Sequence, residues 1–247
     1  MKIAVISDIH GNMEAIKAVF EDIENQGCER IFVLGDYAMA GPEPNKAIDY
    51  FIEKLSNDKF SMIQGNTDYM IANFSEEIFN NIKNNAPVMA EALRNDVELL
   101  SNVQKSFLKN LPAQLEIELE GVNFLLVHGS PRKNNENILP DTSLSELEKM
   151  IDGVNANVIL CGHTHLPCGF QTNSKRTVVN VGSIGRPFTP EPKSCYLKIN
   201  VINGECLFEH RFVKYDNKTA SKKLLERTFS GKEKLAQTLI SPKERHF

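Results

Sequence analysis

The chain has 247 residues, enough for one large α/β domain or for one domain carrying an inserted cap. A hydrophobic fraction of 41% suits a globular protein with a sizeable core, and no apolar run approaches the length of a membrane span. A formal net charge of −4 argues against non-specific nucleic-acid binding, and five cysteines without CxxC spacing argue for free thiols in a reducing cytoplasm rather than disulfides or a structural zinc site.

The first element, Ile3-Ala4-Val5-Ile6, is a continuous apolar run that predicts a buried strand with no leader segment before it. Asn12 to Asn25 carries a helical stripe (Ala15, Ile16, Val19, Phe20, Ile23) ended by Gly27. Ile31–Leu34 is a second buried strand, Asn45 to Leu55 a helix after the rigid turn Gly41-Pro42-Glu43-Pro44, and Phe60–Ile63 a third strand. This alternation predicts a parallel core with right-handed crossovers. Residues 69–112 then change to long helical periodicity (Val88, Leu93, Val97, Phe107), which reads either as peripheral packing helices or, favoured by its place between two metal-type motifs, as a helical cap shaping access.

The second half predicts strands at Leu115–Glu120, Val122–Val127, Val158–Cys161, Cys168–Thr172, Thr177–Val181, Cys195–Val201 and Cys206–Phe212, with hairpin turns at 173–175 and Asn203-Gly204. All seven are expected in a second sheet stacked on the first, giving one α/β domain over 1–247: a four-layer α-β-β-α sandwich of two stacked mixed sheets with the cap at 69–112. The tail, 214–247, shows two helical patches broken at Gly231, and 242–247 reads as a frayed end.

Five blocks carry the chemistry: Asp8-Ile9-His10, Gly35-Asp36, Gly65-Asn66-Thr67-Asp68, His128-Gly129-Ser130-Pro131-Arg132 and Gly162-His163-Thr164-His165. Each follows an apolar run, at the strand ends where open α/β sheets gather their functional loops. Singly, each has a structural explanation: a turn cap for Asp36, a loop residue bonding its own backbone for Asn66, a core histidine for His128. Together they describe oxygen and imidazole ligands for two divalent metals. In an extended strand, Asp8 and His10 would point to one side and Ile9 to the core, and His163 and His165 would likewise share a face.

These blocks, with Ser7-Asp8-Ile9-His10-Gly11-Asn12, Ala40-Gly41-Pro42-Glu43-Pro44 and Asn180-Val181-Gly182-Ser183, resemble the calcineurin-like metallophosphoesterases over roughly residues 1–200. The similarity is to their compact bacterial and archaeal phosphodiesterase branch, which includes diadenosine tetraphosphate hydrolases. It implies Asp36 as a bridge between two metal ions, Asp8, His10 and His165 completing one site, and Asn66, His128 and His163 the other. Asp36, Asn66 and His128 would be catalytic, with a metal-bridging hydroxide attacking phosphorus and Arg132 and Arg186 contacting the substrate phosphate. Manganese is favoured, with iron or zinc as alternatives.

One departure stands out. Many relatives place a histidine acid where this chain has Thr67, whose hydroxyl is far too weak an acid for that role. Gln64 likewise stands where protein phosphatases carry an arginine. The expected activity is a cytoplasmic phosphodiesterase or nucleotide phosphoanhydride hydrolase acting on a small phosphorylated substrate. The alternatives are a small-metabolite phosphomonoesterase, a catalytically silent scaffold of the same fold, or a nuclease, which would want a basic groove. Composition does not fix the oligomeric state.

Overall fold

A computed structural model describes residues 1–242. The chain runs β1 (Lys2–Ile6), α1 (Met13–Asn25), β2 (Arg30–Val33), α2 (Pro44–Ile52), β3 (Phe60–Met62) and then four helices, α3 (Asn66–Ala72), α4 (Glu76–Asn85), α5 (Pro87–Leu99) and α6 (Asn102–Asn110). It continues through β4 (Gln114–Leu119), β5 (Val122–Val127), α7 (Leu144–Met150), β6 (Val158–Cys161), β7 (Cys168–Gln171), β8 (Thr177–Asn180), β9 (Lys193–Ile202), β10 (Glu205–Lys214), α8 (Asn217–Leu225) and α9 (Lys232–Ile240). The local signals behave as their chemistry dictates. Asn12 caps α1 by accepting from the Ala15 N–H, and Gly27, with φ 65, takes the left-handed conformation that ends it. The predicted frayed end, 242–247, falls almost wholly outside the described residues.

Two five-stranded sheets form, in the orders β10-β9-β1-β2-β3 and β4-β5-β6-β8-β7. One expectation is corrected here: the two strands predicted at Cys195–Val201 and Cys206–Phe212 belong to the first sheet, not the second. β9 returns to pair antiparallel with β1, from Lys2↔Asn200 to Val5↔Leu197, and β10 pairs with β9. The reason is an accounting of hydrogen bonds. Ile3 to Ile6 are fully buried, so the backbone row of β1 opposite β2 needs a partner that water cannot provide. Alternation along β9 identifies a strand, but not which sheet it completes.

Three apolar clusters fill the three gaps between four layers. Ile3, Val5, Phe32 and Leu34 meet Phe124, Leu126, Leu160 and Val179 between the sheets. The intervening residues Ala4, Ile6, Ile31 and Val33 face the helices α1 and α2, joined by Leu224 and Leu239 of the tail. On the far side Leu125, Val127 and Ile159 pack under Leu147 and Met150 of α7. Within 69–112, α6 packs on α2 and α3, and Leu93, Phe107 and Leu108 enter the same core as α1. Only the start of α5 reaches the site, through Met89.

Candidate dinuclear metal centre

The seven metal-type residues lie where strands release the chain: Asp8 and His10 after β1, Asp36 after β2, Asn66 at the start of α3 after β3, His128 after β5, His163 and His165 after β6. The extended-pleat explanation for Asp8-x-His10 and His163-x-His165 is wrong. β1 stops at Ile6, and Asp8, His10, Asp36, His163 and His165 all have left-handed backbones, with φ of 55, 45, 57, 68 and 60. Such conformations cost non-glycine residues roughly 1–3 kcal/mol each and persist where the surroundings over-determine them. Here each loop is bolted to its neighbour by backbone bonds, Asp8 N–H to Gly35 O, His10 N–H to Asp36 O and Gly162 N–H to His128 O. Two glycines act through space rather than conformation: a Cβ on Gly65 would overlap Asp36 Oδ1, and one on Gly162 would overlap Ser7 Oγ and crowd Asp8 Oδ2.

The imidazoles are fixed in one tautomer. His10 Nδ1 donates to Met39 O (2.9 Å), His128 Nδ1 to Leu34 O (2.7 Å) and His165 Nδ1 to Arg186 O (2.6 Å). A carbonyl can only accept, so each ring turns Nε2 inward, the second-sphere arrangement that orients histidine for a metal. His10 Nε2 and His165 Nε2 then face each other at 3.1 Å, and His128 Nε2 faces Asn66 Oδ1 at 2.9 Å. The opposed lone pairs of His10 and His165 repel unless a cation lies between them, whereas a protonated His128 can donate Nε2–H to Asn66 Oδ1.

Two groups of donors could each hold an ion: Asp8, His10 and His165, and Asp8, Asp36 and His128. Asp36 Oδ2 lies 3.8 Å from His10 Nε2 and 3.4 Å from His128 Nε2, so it reaches both. Asp8 Oδ1 also belongs to both groups, a sharing the resemblance implied for Asp36 alone, and among the described residues it is buried without a hydrogen-bond partner. His163 belongs to neither group but stands on the second side, its ring 5.4 Å from that of His128. The donor set of imidazoles, carboxylates and one amide fits divalent ions of borderline hardness.

The electrostatics agree. Burial lowers His10 and His163 to about 4, with His165 and His128 respectively adding repulsion. Burial disfavours the His128 cation too, but Asp36 and Asp8 outweigh it and push that ring up to about 10. Burial would raise Asp8 and Asp36, yet the surrounding histidines hold both carboxyls below their usual range. A proton on His128 thus does part of the work of a cation.

Several supports were not legible in the sequence. Asp68, expected only as a partner for an acid, accepts from the N–H groups of Asp36 (2.7 Å), Tyr37 (2.9 Å) and Gly65 (2.8 Å) and clamps two ligand loops together. Asn180 Nδ2 bonds Gly162 O and Thr164 Oγ1, and Ser183 Oγ bonds Asp8 O, which gives a role to two residues that the motifs marked without explaining. Asp96 of α5 holds Met39 N–H, whose carbonyl holds His10, and is itself paired with Arg227 beyond α8 at 2.5 Å.

The candidate ligands open on a cavity of about 330 Å³ whose other walls include Thr67, Met89, Asn137, Leu139, Arg186 and Phe188. Arg186 is buried there, its Nε without a partner among the described residues, and burial lowers it to about 10, still a cation at neutral pH. Phe188 stacks on His165 at 4.8 Å between centroids. Arg132 is not brought in. It pairs with Glu136, i to i+4, on the exposed side of its loop and does not line the cavity. Thr67 lies on the wall with its hydroxyl donated to Ala38 O (3.2 Å), and Gln64 is spent on Leu108 O (2.7 Å).

A family profile described as the calcineurin-like phosphoesterase superfamily domain matches residues 1–202. An uncharacterized protein of Methanocaldococcus jannaschii is 28% identical, over 91% of this chain and 92% of its own. A hypothetical protein of Pyrococcus horikoshii OT3 has the same fold at a TM-score of 0.86 and 23% identity, covering 98% of this chain and 99% of that one. A metallophosphoesterase from Sphaerobacter thermophilus gives 0.76 at 21% identity, covering 98% and 100%.

Proposed function

Because the chain belongs to the calcineurin-like phosphoesterase superfamily, we propose that it is a phosphoric ester hydrolase dependent on two divalent metal ions, acting on a phosphodiester or a nucleotide phosphoanhydride. The observation that carries this reading is the pair of inward Nε2 atoms of His10 and His165, 3.1 Å apart with both Nδ1 atoms spent on carbonyls. Asp8, His10 and His165 would hold one ion, Asn66, His128 and His163 the other, with Asp36 shared. Bound there, the ions supply Lewis acidity toward phosphoryl oxygens and a nucleophile at neutral pH. Manganese is proposed first, iron or zinc as the alternatives, and the cytoplasm as the compartment. Among the described residues no helix is long and apolar enough to cross a membrane.

The chain's own residues narrow the substrate. Arg186 presents a buried cation to the cavity with an unspent Nε–H, a donor for a phosphate oxygen. No strong acid faces the departing oxygen from position 67, because the Thr67 hydroxyl is a poor acid already bonded to Ala38 O, and the adjacent Asp68 is occupied by three backbone N–H groups. Leaving groups that need little protonation, those of aryl diesters and phosphoanhydrides, suit such a site. A silent scaffold has no use for five strained ligand backbones, and the buried, unpartnered Asp8 Oδ1 speaks against it as well.

The test is a turnover assay after exhaustive dialysis against chelator, with manganese, iron, zinc or magnesium restored, on bis-aryl phosphates, cyclic nucleotides and dinucleoside polyphosphates. Activity should vanish on chelation and return best with manganese. Full turnover in excess strong chelator would overturn the metal mechanism, and protein that binds two ions yet cleaves nothing would favour the scaffold.

A further inference from the structure

β10 ends the first sheet, and among the described residues no strand pairs with its outer edge. It pairs with β9 without a bulge from Glu205↔Ile202 to Lys214↔Lys193 and contains neither proline nor glycine. Among the described residues no backbone group outside β9 bonds to Cys206–Lys214. Long, regular, uncovered edges are what natural sheets usually avoid, because they template pairing with another chain. Leu207 and Phe212 on this strand are 62% and 49% exposed.

The pattern of the strand is self-complementary. Asn203 and Gly204 turn with φ of 53 and 80, a two-residue hairpin that closes on a hydrogen-bonded pair at Ile202 and Glu205. Ladder bonds alternate, so Glu205, Leu207, Glu209, Arg211 and Val213 spend their backbone groups on β9, while Cys206, Phe208, His210, Phe212 and Lys214 direct theirs outward. A second copy related by a two-fold axis normal to the sheet, centred on His210, would use the outward set in full. Phe208 then lies opposite Phe212 of the other copy, Glu209 opposite Arg211, and Leu207 opposite Val213. Aromatic meets aromatic and apolar meets apolar, each occurring twice by symmetry, while Glu209, already paired with Lys198 and Arg211 of its own chain, meets an Arg211 that Asp22 also holds. Moving the axis one residue toward the N-terminus would set Glu209 against Glu209, and one residue toward the C-terminus Arg211 against Arg211, so charge disfavours both adjacent registers. Both sheets end on this flank, since Cys206 and Phe208 share a groove with Gln171 and Thr177.

We infer that β10 is a homodimer interface at which two copies of this chain pair edge to edge, antiparallel and centred on His210, to make a continuous ten-stranded sheet. The partner is a second copy because the strand places aromatic and apolar residues symmetrically about His210, Phe208 with Phe212 and Leu207 with Val213, so its own sequence supplies the complement. The whole strand lies beyond the residues that match the family profile, and the inference is independent of the proposed activity.

The test uses the full chain. Light scattering or sedimentation should give twice the chain mass of 27.8 kDa at micromolar concentration, and Phe212→Lys should weaken the dimer at least tenfold while leaving thermal unfolding of the subunit nearly unchanged. Lys214→Cys places a thiol opposite Cys206 of the other copy, within disulfide reach of a hydrogen-bonded pair. Mild oxidation should crosslink that variant to a dimer, and the double variant Lys214→Cys, Cys206→Ser should not crosslink. A monomer at about 100 μM would overturn the inference. So would a dimer indifferent to Phe212→Lys whose Lys214→Cys variant fails to crosslink, since the copies would then meet elsewhere; association with a different protein only would overturn it as well.

Discussion

At the residue scale, the five left-handed candidate ligands show where the chain spends stability on geometry. Each backbone is held against its preference so that oxygen and nitrogen lone pairs converge. Asp36 is the sharpest test, because its charge, not its shape, is what two cations need. Asp36→Asn keeps an oxygen to accept from the Thr67 N–H, now 2.9 Å from Oδ1, so the fold should survive. Bound metal should fall below two ions per chain and turnover by ~10²-fold or more; a folded variant with most of its activity would remove Asp36 from the site. Thr67 tests the chemistry of departure. Without a proton donor, charge builds on the leaving oxygen, so the rate should depend steeply on leaving-group pKa. Across a series of aryl and alkyl diesters, Thr67→His should flatten that slope and Thr67→Ala should leave it nearly unchanged. A flat slope in the wild type would mean another group already donates the proton.

At the element scale, the site depends on segments distant in sequence. Asp96 on α5 and Arg227 after α8 meet at 2.5 Å and together hold the 37–41 loop, through the Met39 N–H and, from Arg227, Gly41 O at 2.7 Å. Burial raises Asp96 despite the arginine, which marks how much that carboxylate relies on its partner. Arg227→Met should therefore cost about 3–5 kcal/mol in denaturant unfolding, the penalty of stranding a buried charge. It should also weaken metal binding, because the Met39 carbonyl orients His10. An unchanged unfolding midpoint would show that the pair does not brace the loop. None of this was legible in the sequence, since Asp96 lies within an ordinary helical stripe and its partner is 131 residues away. The candidate ligands were legible as a set because their chemistry is rare and each ends an apolar run. Strands were legible by alternation, but the sheet to which β9 and β10 belong was not, because that is settled by the unpaired edge of β1, a property of the assembled sheet. Local periodicity also gave the helices of 69–112 without their role: most fill the core beside α1, and Met89 alone of that segment lines the cavity.

At the scale of the whole molecule, metal, proton and fold are linked. Without metal, the histidines pull stability in opposite directions. His128 is raised from 6.5 to about 10, so its contribution is full below pH 6.5 and is lost as pH rises toward 10. His10 and His163 are lowered to about 4, so the unfolded chain binds protons that the native state refuses, and stability is lost as pH falls from 6.5 toward 4. The metal-free protein should accordingly be most stable near pH 6.5 and decline on both sides. Metal requires a bare Nε2 on His128 and must expel that proton. The loaded protein should then lose the alkaline decline and keep the acid one, deepened because protons now compete with the ions. Thermal unfolding against pH, with and without chelator, separates the two curves. Calorimetric metal titration in two buffers of different ionisation enthalpy counts the protons directly. About one to two should be released at pH 7, one from His128 and a fraction from Asp68, which burial and the neighbouring Asp36 raise to about 7. Binding without proton release, or an alkaline decline that metal does not abolish, would mean that His128 is not a ligand.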